Sequence, residues 1–435
     1  MQFNLFGPNL LLLLGIVFSS IATLLFIKQR SLRRSLTIIC VSILLSLFLS
    51  VLAHVMFKGE KVPNMLWAMF IPLTLGVAFV VSACFRPRHK FKIVASACLL
   101  LLGITLTFIL INNAYHYFPT PASVVGKENH QTNPNADGAN VLLFDNDAST
   151  NKHTVESDLF QKNNQQTKGT IKEIDIPGTV SGFKARKGSV YIPAIVNNVP
   201  EVELPVVILL AGVPSRPTDW LDGGELQKTM DDFAAHHNGV TPYVFLVDPL
   251  GSENNDTECV DSARGNVETY LTKDAPSYIK ENYPVRGKPQ HWAIGGLSMG
   301  GMCGIMLTLR HTDVFSTFLD FGGEIGPEVG TKEQTVAALF HGSQDEWSSH
   351  QPMTLLQNKQ YQGIRGYFAV GKGDEAKLVS DMQTLYNATQ KAGIDSNIEY
   401  LAGDHSFSVW ATALRDSMPS LSNHLGATEC AGGCH

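Results

Sequence analysis

The sequence predicts a bundle of four transmembrane helices followed by an α/β domain whose mostly parallel sheet is flanked by helices. Four apolar runs crowd the first quarter of the 435 residues. From Gly169 onward, short β-branched runs alternate with helical patterns. Within that part, Ile294-Gly-Gly-Leu-Ser298-Met-Gly-Gly301 has an apolar run before it and helix-forming residues after it. The boundaries that follow are 1–118 for the anchor, 119–168 for a polar linker, 169–422 for the α/β domain and 423–435 for a tail.

The apolar runs are Asn9 to Ile27, Ser35 to Phe57, Met65 to Phe85 and Ile93 to Ile111. Each is about long enough to cross a hydrocarbon core of roughly 30 Å as helix, and none contains Asp, Glu, Lys or Arg. A cleaved signal peptide is not expected, because Met1 to Leu10 lacks a positive stretch and three more runs follow. Orientation comes from the basic loops. Lys28 to Arg34 and Arg86 to Lys92 carry eight of the ten basic residues up to Ala122, and Lys58 to Asn64 carries two, offset by Glu60. Basic loops stay in the cytoplasm, so the N-terminus, the second loop and everything after Ile111 are expected outside. This first part is net positive while the whole chain is −6. The remainder is therefore acidic, which argues against nucleic acid as a partner.

Past the last run, Tyr115, Tyr117 and Phe118 precede Pro119-Thr-Pro121, a pattern that suits an exit from the bilayer. Lys127 to Lys168 is rich in Asn, Gln, Asp and Thr and reads as a tether. Strands are expected at Ile171 to Ile176, Ser189 to Ile192, Pro205 to Leu210, Tyr243 to Val247, His291 to Gly295, Thr317 to Phe321, Gly366 to Val370 and Asn397 to Leu401. Helices are expected at Leu226 to His236, Val267 to Glu281, Met302 to Arg310 and Leu378 to Ala392.

The G-x-S-x-G pattern at Gly296 to Gly300 marks Ser298 as the candidate nucleophile. A serine on a sharp strand-to-helix turn needs small neighbours, because side chains at Gly296 and Gly300 would meet backbone. In the α/β-hydrolase order an acid and then a histidine follow. His405, in Leu401-Ala-Gly-Asp-His405-Ser, lies past a predicted strand and before a helix. Asp374 follows the preceding strand and is favoured as the acid, with Glu375 beside it and Asp345, in Phe340-His-Gly-Ser-Gln-Asp345, as alternatives. One oxyanion donor is expected from the backbone N–H of Met299. The other comes from the loop Ala211-Gly-Val-Pro214, where Pro214 has no N–H, so Gly212 or Val213 must donate.

Seven cysteines divide by location. Cys40, Cys84 and Cys98 fall in the spans and read as apolar fillers. Cys259, in a loop after a strand, and Cys303, one turn into the nucleophile helix, are expected to bond and brace the site in an oxidising compartment. Cys430 and Cys434 could close a small loop; a zinc site there lacks a fourth ligand. Neither a metal nor an organic cofactor is required by this chemistry.

Leu209-Leu-Ala-Gly-Val-Pro-Ser-Arg-Pro-Thr-Asp-Trp220, Asp256-Thr-Glu-Cys259, Gly265-Asn-Val-Glu-Thr-Tyr-Leu271 and Gly295-Gly-Leu-Ser-Met-Gly-Gly-Met-Cys303 resemble the α/β-hydrolase esterase family that includes esterase D and the actinobacterial mycolyltransferases. The resemblance covers about Gly169 to Met418, and the anchored arrangement is similar to actinobacterial multi-span hydrolases. It implies a serine esterase or acyltransferase on the outer membrane face, with Ser298, Asp374 and His405 as triad. Mycolyltransferases place a glutamate at the acid position, where this chain offers Asp374 beside Glu375. The expected substrate is an acyl ester of the cell envelope, a lipid or glycolipid. The alternatives are an aminoacyl-lipid hydrolase and a non-catalytic membrane protein that keeps the scaffold for binding.

Overall fold

The computed structural model describes residues 8–27, 31–56, 66–84, 90–115, 168–197 and 199–427. The expected linker up to Thr167 and the Cys430–Cys434 pair lie outside these residues. The chain divides into two compact units, 1–128 and 129–435.

The first unit is helical: α1 (Pro8–Ile27), α2 (Leu32–Met56), α3 (Leu66–Met69), α4 (Ile71–Cys84) and α5 (Lys90–Tyr115). Among the described residues two stretches are long and apolar enough to cross a membrane, Leu32–Ala53 and Phe91–Asn112; Leu13–Phe26 and Ile71–Ala83 are apolar but shorter. The expected third span is broken at Phe70, because Pro72 has no N–H to continue a ladder from α3 and suits only the first turn of a new helix. Apolar side chains face outward in this unit and small hydroxyl-bearing ones inward. Leu44, Phe48 and Leu101 are exposed, while Ser42, Ser46, Thr74 and Ser96 are buried. Ser46 and Thr74 share a hydrogen bond of 2.8 Å between their hydroxyls, and a Cβ at Gly103 would lie 2.4 Å from the Pro72 carbonyl oxygen. Small and hydroxyl-bearing residues thus mediate the helix contacts. Cys40 and Cys98 are exposed rather than interior fillers.

The second unit carries an eight-stranded sheet. Its strands are β1 (Thr170–Ile174), β2 (Gly188–Ile192), β3 (Val206–Leu210), β4 (Tyr243–Leu246), β7 (Trp292–Leu297), β8 (Thr317–Phe321), β9 (Arg365–Gly371) and β10 (Asp395–Leu401), in the order β1-β2-β4-β3-β7-β8-β9-β10. A two-residue hairpin, β5 (Asp261–Ser262) with β6 (Gly265–Asn266), stands apart. β1–β2 and β2–β4 are antiparallel, and every later pair is parallel. All eight expected strands are present. β3, β7 and β8 are buried at every residue, as continuous apolar strands covered on both faces must be. The first strand is fastened at its start: Gly169 N–H and Tyr191 O–H both donate to Asp231 Oδ1, at 2.8 and 3.0 Å.

The flanking helices are α6 (Leu226–His236), α7 (Ala275–Asn282), α8 (Met299–Arg310), α9 (Lys332–Leu339), α10 (Gln344–Ser349), α11 (Pro352–Asn358), α12 (Ala376–Lys391) and α13 (Phe407–His424). The expected helix from Val267 to Glu281 begins as a short turn, widens into a π turn at Tyr270–Asp274 and becomes α7. The widening precedes Pro276, whose ring and missing N–H disturb an ordinary turn. Glu268, in this run, accepts from Arg310 Nε (2.8 Å), His311 Nε2 (2.7 Å) and His350 Nε2 (2.9 Å), joining the end of α8 to the residue after α10.

Candidate active site

Ser298 stands between β7 and α8 with φ 52° and ψ −129°, a conformation that a non-glycine residue adopts only where its surroundings enforce it. The enforcement comes from β3. Leu210 pairs in register with Gly296, and a Cβ at Gly296 or Gly300 would lie 1.9 or 2.5 Å from the Leu210 carbonyl oxygen. Trp220 Nε1–H donates to that same oxygen at 2.9 Å. Ser298 N–H donates to Phe321 O at 3.0 Å, tying the turn to the end of β8.

His405 lies in the loop between β10 and α13. Its Nε2 is 3.0 Å from Ser298 Oγ and its Nδ1 is 3.3 Å from Asp374 Oδ2. With the proton on Nδ1, the ring donates to Asp374 and accepts from the serine hydroxyl. The Asp374 side chain is 2 % exposed and that of His405 18 %, so the carboxylate is screened from solvent while the imidazole stays partly open to it. Two backbone bonds across adjacent strand ends bring them together: Lys372 N–H donates to Leu401 O (2.8 Å) and Gly373 N–H to Gly403 O (2.7 Å). The rings of Trp410 and His405 stand perpendicular with centroids 5.0 Å apart. Of the alternative acids, Asp345 is exposed in the first turn of α10 and Glu375 is the exposed N-cap of α12. The carboxylate hydrogen-bonded to His405 is that of Asp374.

Met299 is the first residue of α8, where the N–H has no acceptor within the helix. The loop after β3 lies against the serine: a Cβ at Gly212 would be 2.9 Å from Ser298 Cβ. Ser215 Oγ donates to the Gly212 carbonyl, and the following Val213-Pro214 peptide is cis. Cys259 and Cys303 are joined as a disulfide, which ties α8 to the loop at 256–260. Glu258 and Cys259 both have positive φ there, 51° and 54°.

Asp320 escapes a reading of the sequence, although a lone carboxyl in Thr317-Phe-Leu-Asp-Phe321 is a visible anomaly. It is fully buried in β8. Its Oδ1 accepts Gly323 N–H at 2.9 Å, and its Oδ2 has no hydrogen-bond partner among the described residues. Burial pushes its carboxyl up to about 8, against the Gly323 bond and with the Glu324 charge adding to the rise. Among the described residues no group of three or more His, Cys, Asp or Glu side chains could hold a metal ion.

The profile of the family described as "Putative esterase" matches residues 184–421. An uncharacterized protein of Corynebacterium glutamicum is 31 % identical over 418 residues, which cover 94 % of this chain and 93 % of that protein. The diacylglycerol acyltransferase/mycolyltransferase Ag85A of Mycobacterium leprae is 29 % identical over 192 residues, 37 % of this chain and 57 % of that protein, so the match spans little more than half of the transferase. Two solved structures share the fold: a ferulic acid esterase (TM-score 0.51, 20 % identity, 60 % of this chain and 99 % of that one) and an S-formylglutathione hydrolase from Agrobacterium tumefaciens (TM-score 0.51, 16 % identity, 60 % and 98 %). The chain belongs to the Putative esterase family of the α/β-hydrolase superfamily, and it is an enzyme of the hydrolase or acyltransferase kind.

Proposed function

We propose that this protein is a membrane-anchored serine esterase or acyltransferase acting on acyl esters of envelope lipids or glycolipids outside the cytoplasmic membrane. The observation that carries the reading is His405 bridging Ser298 Oγ and Asp374 Oδ2. Ser298 Oγ attacks the ester carbonyl as His405 Nε2 takes its proton, and Asp374 holds the ring and stabilises the imidazolium. The N–H groups of Met299 and of Gly212 or Val213 receive the oxyanion at the positive end of α8. His405 then protonates the leaving alcohol. The acyl-enzyme passes to water in hydrolysis or to another hydroxyl in transfer.

Anchoring is supported by the apolar stretches Leu32–Ala53 and Phe91–Asn112, with the two shorter helices completing a four-span bundle over 1–118. The basic loops put the domain at 169–422 outside, on the linker 119–168, with 423–435 as a tail. A tethered site meets amphiphilic esters at high effective concentration. The mycolyltransferase relative adds weight to an envelope acyl group and to transfer. Fluorophosphonate labelling and short-chain ester hydrolysis test the reading on the full-length protein. Ser298→Ala abolishes both if it holds, and labelling that persists in that variant rules it out.

A further inference from the structure

We propose, on the reading of Ser298 and His405 just given, that Asp320 is a positioning residue for both of them and that it acts as a neutral carboxylic acid. Three consecutive residues carry the connection. The Asp320 carboxyl is wedged between the nucleophile helix and the loop after β8: a Cβ would lie 2.6 Å from Oδ1 at Gly301 and 2.4 Å from it at Gly323. The two glycines leave the room that the carboxyl fills. Phe321 accepts the Ser298 N–H. At Gly322 a Cβ would stand 3.4 Å from both Cε1 and Nδ1 of His405. A shift of Asp320 therefore moves the backbone that holds the serine and the backbone that supports the imidazole.

The surroundings favour the uncharged form. Every residue of β8 is buried, and the neighbours in register, Gly296 of β7 and Phe368 of β9, carry no charge. The first turn of α8 contributes Met299, Gly300, Gly301 and Met302. The charge that acts on Asp320 is that of another acid, Glu324, which acts on Glu258 of the disulfide loop as well; His405 stands beyond Gly322. Oδ2 is where the proton resides, since Oδ1 accepts the Gly323 N–H. Ionised, the carboxylate would place a negative charge beside the first turn of α8 and cancel part of the positive end that stabilises an oxyanion.

The rate of fluorophosphonate labelling of the full-length protein, followed from about pH 6 to about pH 10, tests this. The wild type loses rate along an alkaline limb near pH 8. Asp320→Asn keeps an acceptor for Gly323 and cannot ionise. It labels within about threefold of wild type at neutral pH and lacks that limb, whereas Asp320→Ala is slower by at least about tenfold. An alkaline limb unchanged in Asp320→Asn, a wild type without one, or an asparagine variant as slow as the alanine variant overturns the proposal. Ser298→Ala separates the two failures. Labelling that persists in it strikes the nucleophile, while a silent Ser298→Ala beside an unaltered Asp320→Asn profile strikes Asp320 alone.

Discussion

Asp374 and Glu375 are adjacent in the chain but differ in what they touch. Asp374 is hydrogen-bonded to His405 with its side chain nearly closed to solvent, and Glu375 caps a helix in the open. Asp374→Asn keeps the shape and removes the charge that fixes the imidazole tautomer, so it should lower kcat by about 10³- to 10⁴-fold. Glu375→Ala and Asp345→Ala change exposed groups and should stay within roughly twofold of wild type. Steady-state ester hydrolysis by the three variants checks this, and a collapse in Glu375→Ala with Asp374→Asn active would exchange their roles. Ser298 and His405 stand out in the sequence because each sits in a local pattern, a glycine turn and a strand-then-loop histidine, and the fold brings the two side chains to 3.0 Å. Asp374 stands out only through strand order, since Asp345 sits in a short segment that superficially resembles the same turn. Asp320 is visible in the sequence only as a lone carboxyl in an apolar strand: its partners are the N–H of Gly323 and the empty faces of two glycines, and neither leaves a side-chain signature.

Among the elements, α8 carries the most constraint. Its first N–H has no acceptor within the helix, its glycines admit the Leu210 carbonyl and Asp320, and Cys303 fastens it to Cys259 across 44 residues. Removing that crosslink with Cys259→Ala and Cys303→Ala together should cost about 2–4 kcal/mol by the loop-closure argument. The urea midpoint of the second unit, read by tryptophan fluorescence, is the measurement, and an unchanged midpoint would mean that the bond braces nothing. The central strands β3, β4 and β7 were legible as unbroken apolar runs, and the others as short β-branched runs set between turns. The three helices α9, α10 and α11 were not, since they are six to eight residues long. At that length a cap such as the Thr331–Gln334 box of α9 says more than periodicity does. The break at Phe70 has a similar cause, for one proline outweighs an otherwise uniform apolar stretch.

At the scale of the molecule, the second unit responds to acid through Glu268. Burial alone would raise its carboxyl, but the bonds from His311 and His350 and the Arg310 charge outweigh that and hold it well below the carboxylate range. A carboxyl depressed in the folded state adds stability that is complete above its unfolded value near about 4.3 and is lost as pH falls through the folded one. Glu268→Gln should therefore destabilise the unit by roughly 3 kcal/mol at neutral pH. The gap in melting temperature from wild type should narrow steadily as the pH is taken below about 4. A gap independent of pH would mean that Glu268 acts by packing alone. The backbone bonds between the ends of β9 and β10 bear on the molecule in another way. They make Asp374 and His405 one assembly carried by the outermost strand pair, while Ser298 belongs to the centre of the sheet. The half-exposed β10 is the strand whose fraying costs least. When it goes, Asp374 and His405 leave together, so under the proposed mechanism the working lifetime of the site is that of its margin, and a domain with an intact interior can already be silent.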